Sequence, residues 1–146
     1  MEIIVFGLSI IGSFVRLGGE RAGRPKIMQY VLLIYGNERH FGTLSAAERD
    51  GIMKEYTDFT NGIAKSGHLR AGNELHPTSK ATTIRVRDKK RAVTDGPFAE
   101  TKEQLGGYYL VEAKDLDEAL EIAARIPSAR WGAIEVRPII PHEMPS

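Results

Sequence analysis

The 146-residue sequence predicts an α+β fold, a ferredoxin-like βαββαβ arrangement with both helices on one face of an antiparallel sheet. Three observations carry this reading. Strand-like segments rich in β-branched and aromatic residues, and two segments with apolar spacing of three to four, follow one another in the order strand, helix, hairpin, strand, helix, strand. Two of the strands are apolar on both faces, although two helices cover only one face of a sheet. The chain is one domain's length and has no cysteine, so its core has to hold the fold without disulfides.

The first strand is Gln29–Tyr35. It is rich in β-branched and aromatic residues, and Gly36-Asn37 ends it. Tyr30, Leu32 and Ile34 project to one side, and Val31, Leu33 and Tyr35 to the other. Ser45-Ala-Ala-Glu48 has the spacing of a capping box, in which each end residue satisfies the other's backbone N–H. The helix it starts runs to Lys65 and closes at Ser66-Gly67, with Ile52, Tyr56, Phe59 and Ile63 as the inward stripe. Ala81–Arg87 alternates Thr82, Ile84 and Val86 against Thr83, Arg85 and Arg87. Asp88-Lys89-Lys90 turns it into Arg91–Thr94, a hairpin read as part of the main sheet. After the break at Asp95–Phe98, Gly107–Ala113 is the next strand. Asp115 caps the second helix, Leu116 to about Arg125, with Leu116, Ala119, Leu120 and Ala123 expected inward and Pro127 as its stop. Ala133–Pro138 is the last strand.

Residues 28–140 form the domain in this reading, with a leader at 1–27 and a tail at 141–146. Ile3–Val15 is apolar but shorter than the roughly 20 residues that span a bilayer. It also lacks the basic start of a secretory signal. Three readings stay open for it: sequence upstream of a true start at Met28, a membrane-surface anchor trailed by arginines, or a short element docked on the domain. Twenty basic residues against nineteen acidic leave the chain nearly neutral, which argues against direct nucleic-acid binding. The lack of cysteine excludes thiolate metal and redox sites and points to a cytoplasmic location without membrane attachment of the main domain. The four histidines, at 40, 68, 76 and 142, have no metal-ligand spacing.

The run Thr94-Asp-Gly-Pro-Phe-Ala-Glu-Thr-Lys-Glu-Gln-Leu-Gly-Gly-Tyr-Tyr109 resembles the signature of the DGPF subfamily of YCII-related proteins. Met28–Gly36 is similar to the family's usual start, and Ala123–Pro127 and Glu135–Pro138 to its usual ending. This resemblance covers about Met28 to Pro138. It implies a ferredoxin-like fold that forms a homodimer, sheet against sheet, as a dimeric α/β barrel with a cleft near the DGPF loop. It also implies a His–Asp pair in the wider superfamily, a branch linked to dehalogenation of chlorinated aromatics, and relatives associated with extracytoplasmic-function sigma factors.

Asp95 is the leading candidate catalytic group, as a general base or as the orienter of a histidine, although aspartate also simply begins turns. The superfamily's histidine belongs on the first long helix, and no histidine lies between Ser45 and Ser66. His68 and Tyr56 are the substitutes, with an exposed loop and core packing as their plainer roles. Gly96 and Pro97 shape the loop, and Phe98 is expected in the core or a pocket wall. Glu100, Lys102 and Glu103 line a pocket or form exposed ion pairs. Arg85, Arg87 and Arg137 hold an anionic ligand or pair across the sheet. Two functions follow. One is cofactor-independent acid–base chemistry (lyase, isomerase or dehalogenase-like) on a small organic molecule. The alternative is a non-catalytic small-ligand-binding or regulatory module with a sigma-factor association.

Overall fold

The computed structural model describes residues 26–143. The readings of the leader and of the last three residues lie outside the described residues.

Among the described residues, six strands and three helices follow one another as β1 (Met28–Gly36), α1 (Glu38–Gly42), α2 (Ala46–Lys65), β2 (Leu69–Glu74), β3 (Thr82–Arg87), β4 (Lys90–Asp95), β5 (Gln104–Ala113), α3 (Leu116–Ala124) and β6 (Ala133–Pro138). Single 3-10 turns at Thr78–Lys80 and Pro127–Arg130 complete the connections. The main sheet is antiparallel in the order β2-β5-β1-β6. This arrangement is consistent with a ferredoxin-like fold.

The hairpin departs from the sequence expectation. β3 and β4 form a sheet of their own, and the fourth strand of the main sheet is β2. That strand, Leu-Arg-Ala-Gly-Asn-Glu, escapes a pattern search because it is an edge strand with polar residues and a glycine where alternation would be sought. Its partner β5 begins three residues before the expected Gly107. Gly107 is required there by close approach: a Cβ would sit 2.8 Å from the Asn73 carbonyl oxygen of β2. β1 carries a register shift between Ile34 and Tyr35, where it passes this point.

The helices bury the Tyr30, Leu32 and Ile34 face of β1 together with Tyr109, Val111 and Ala113 of β5. Tyr56, Phe59 and Ile63 of α2 meet them. From α3 come Ala119, Ile122 and Ala123, followed by Ile126, which is the i, i+3, i+4, i+7 stripe of an amphipathic helix. Leu116 and Leu120, expected inward, are about half exposed instead. Alanines at 119 and 123 let α3 approach the sheet, and the leucines flank that contact line. Burying each large core side chain such as Leu32 or Ile63 stabilises the fold by roughly 1.5–3 kcal/mol.

The sheet's other face carries Val31, Leu33 and Tyr35 of β1 and Tyr108 and Leu110 of β5, all half-buried by their neighbours. Ion pairs edge it: Arg70 to Glu112 and Arg137 to Glu135, both at 2.6 Å.

Candidate functional site

At the Gly36 end of β1 the chain enters α1 at once. Asn37 caps this short helix by accepting from the Arg39 N–H at 3.0 Å. The cap places Glu38 beneath the loop that joins β4 to β5. The Glu38 carboxylate accepts from the Thr78 backbone N–H and from the Thr78 hydroxyl, each at 2.8 Å. The Glu38 backbone N–H donates to the Gln104 side-chain oxygen at 3.1 Å. Three connections are thereby tied together around one half-buried carboxylate.

Between them lies an open cleft of about 720 Å³, within the size range of small-molecule sites. Asn37, Glu38 and Arg39 form one wall, Thr78 and Ser79 a second, and Gly96, Pro97 and Ala99 to Lys102 the third, with Gln104 at the back. Gly96 has a left-handed φ of +100°, a conformation that costs glycine little. Its N–H donates to the Ala81 carbonyl at 2.7 Å, and its carbonyl accepts from the Thr83 hydroxyl at 2.8 Å. Two acidic residues (Glu38, Glu100) and two basic ones (Arg39, Lys102) are among those that line this space.

A second cavity of about 30 Å³ shares Glu38 and Gln104 with the cleft and is lined by Ile34, Phe41, Gly106, Gly107, Tyr56 and Ser128. Its volume is that of one water-sized group. The Tyr56 hydroxyl is hydrogen-bonded to the Ser128 hydroxyl. Burial pushes the Tyr56 pKa up, against the lowering effect of that bond, with the charge of Glu74 adding to the rise. Tyr56 thus stays a neutral hydroxyl at physiological pH. It donates or accepts a hydrogen bond and does not serve as a strong base.

The residues singled out in the sequence are distributed unevenly around this geometry. Gly96, Pro97, Glu100 and Lys102 line the cleft, and Tyr56 lines the inner chamber. Asp95 ends β4 opposite Thr82, exposed and one residue outside the cleft wall. Phe98, expected in a core or wall, is 78 % exposed. Arg85 lies on the separate hairpin opposite Ala92 and does not line the cleft.

His68 lies at the other end of the sheet. Its carbonyl accepts from the Glu112 N–H at 2.8 Å, eight residues along β5 from Gln104, or roughly 25 Å. Within one chain, His68 and Asp95 are not brought together. The His68 ring bridges Ser66 Oγ at 2.7 Å and Glu118 Oε1 at 2.6 Å, pinning the start of β2 to α3.

Glu38, Arg39, Thr78 and Ser128 were not singled out by sequence reasoning. The available signal was Asn37 directly after a strand, a helix cap followed by an acidic first turn. Among the described residues no group of three or more His, Cys, Asp or Glu side chains is arranged to hold a metal ion, and no helix is long and apolar enough to cross a membrane.

Comparison with known proteins bears on what this arrangement belongs to. An uncharacterized protein from Rhizobium meliloti (strain 1021) is 38 % identical over 124 residues, covering 82 % of this chain and all of that protein. The model of the YCII-related domain matches residues 28–143, which include every element described above. The chain therefore belongs to the YCII-related domain family.

Proposed function

We propose that the cleft between α1 and the Gly96–Gln104 loop binds a small polar organic molecule and carries out acid–base chemistry on it without an organic cofactor. In this reading the chain falls in the DGPF subfamily. The observation that carries it is the position of Glu38, a residue that lines the open cleft and the inner chamber at once. Thr78 fixes the carboxylate's orientation, which is what proton transfer to a bound molecule needs. Arg39 and Lys102 supply positive charge for an anionic substituent, the role that the sequence alone gave to Arg85. Tyr56 and Ser128 hold a hydroxyl pair at the chamber.

A screen of small organic acids, halogenated aromatic acids included, tests this reading. For any compound turned over, Glu38→Gln is expected to lower the rate about a hundredfold or more, while Asp95→Asn, outside the wall, lowers it less than tenfold. The opposite ranking would transfer the chemical role to Asp95.

A non-catalytic ligand-binding module, regulatory and associated with a sigma factor, is the second reading. It is favoured by one observation: both ring nitrogens of His68 are engaged far from the cleft, so no histidine–carboxylate pair forms there within one chain. Binding without turnover, and no loss of affinity in Glu38→Gln, would select it.

The protein is further proposed to work as a homodimer through the open sheet face. Val31, Leu33, Tyr35, Tyr108 and Leu110 give that face an apolar centre, and the Arg70–Glu112 and Arg137–Glu135 pairs give it a polar rim.

A further inference from the structure

The β3–β4 hairpin is a two-stranded ribbon that forms its own sheet, and all of its strand residues except Thr83 are exposed. Its register puts Ile84 opposite Val93 and Val86 opposite Arg91. One face therefore carries a stripe of Ile84, Val86 and Val93, each more than half exposed at 52, 54 and 57 %. A two-stranded ribbon is marginal on its own, and a contiguous exposed apolar stripe marks a contact surface. Arg91 shares this face, and Lys89 and Lys90 stand at the tip. Between Thr82 and Asp95 five basic residues face two acidic ones, Asp88 and Asp95. None of the five forms a salt bridge among the described residues.

The complementary surface is on α3 of the same sequence. Leu116 and Leu120, four residues apart on one side of the helix, are 48 and 46 % exposed. Asp117 and Glu121 run beside them, also four apart and exposed, with no salt bridge among the described residues. Asp115 to Ala124 contains four acidic residues and no basic one.

We infer that the ribbon of one copy docks on α3 of a second copy. Ile84, Val86 and Val93 cover Leu116 and Leu120, while Lys89 and Arg91 meet Asp117 and Glu121. Apolar stripe matches apolar stripe, and the unpaired charges on the two sides are opposite in sign. A nucleic acid or an anionic membrane meets the cations but not the stripe of the ribbon together with the leucines of α3. The dock extends the sheet-face pairing proposed above and is separable from it. It also bears on the cleft, because β4 runs directly into the Gly96-Pro97 wall and a docked ribbon anchors that wall.

Sedimentation equilibrium of the full chain and its charge-reversed variants tests the dock. Lys89→Glu with Arg91→Glu is expected to weaken dimerisation about tenfold or more, and so is Asp117→Lys with Glu121→Lys. All four substitutions in one chain should restore the dimer to within about threefold of the natural sequence, since both contacts are then re-formed with signs exchanged. A silent reversal on either side, additive weakening in the fourfold variant, or a monomeric natural chain would overturn the dock. So would a ribbon reversal that abolishes binding to duplex DNA or to phosphatidylserine vesicles and leaves the dimer unchanged. Leu33→Asp separates the two interfaces. Loss of the dimer in that variant, with silent charge reversals, keeps the sheet face and removes the dock, and the reverse pattern does the opposite.

Discussion

Two tyrosine hydroxyls lie inside the core, and that of Tyr56 belongs to a residue lining the inner chamber. Tyr109 is hydrogen-bonded to Thr60 at 2.8 Å, and Tyr56 to Ser128. Burial pushes both pKa values above the ordinary phenol value of 10.0. The sign of the resulting pH dependence follows from proton counts. Below the ordinary phenol pKa both states keep the proton and the burial contributes its full stability. Above it the unfolded chain loses the proton while the folded chain retains it, so stability falls as pH rises through the gap between the two values. Melting temperature should accordingly hold level up to about pH 10 and then drop. Tyr109→Phe should flatten that drop while costing about 1 kcal/mol at neutral pH through the Thr60 bond. An unchanged alkaline slope in Tyr109→Phe would mean that another group sets it.

Among the elements, α2 is the one whose ends are most sharply specified. Ser45 Oγ accepts from the Glu48 N–H at 3.2 Å, and Glu48 Oε2 accepts from the Ser45 N–H at 2.7 Å. Those bonds hold the Glu48 carboxyl below its ordinary pKa. Ser45→Ala should cost about 1 kcal/mol and lower the melting temperature by roughly 3–5 °C; a drop below one degree would show that tertiary packing alone fixes the start of α2. This helix, β1 and β6 were legible because local rules and burial agree in them: a capping box, a β-branched run and clean alternation. β2 was not, because an edge strand of Arg, Gly, Asn and Glu has no pattern to read. The hairpin was found but assigned to the wrong sheet, since alternation shows that a strand exists and not which neighbour it pairs with. Leu116 and Leu120 were expected inward on hydrophobicity, and the small side chains of Ala119 and Ala123 won the contact with the sheet.

At the scale of the whole molecule, two strands with apolar residues on both faces were the sequence's strongest signal, and the structure assigns each face. Tyr30, Leu32 and Ile34 lie beneath the helices, and Val31, Leu33 and Tyr35 face outward. The cleft was only partly legible. Its glycine–proline wall, with Glu100 and Lys102, lies inside a recognisable motif. Its central carboxylate does not, because Glu38 gains its position from a helix of only five residues and from partners 40 and 66 residues away along the chain. The function proposed above requires a small-molecule ligand to enter this cleft. It is tested most directly by following the backbone amide signals of the full chain by NMR during titration with benzoate, a small aromatic acid. Saturable shifts are expected to concentrate at Arg39, Thr78, Gly96, Lys102 and Gln104, and to vanish in Arg39→Ala with Lys102→Ala. Saturable shifts centred on His68 and Glu118, with the cleft signals unmoved, would contradict the assignment.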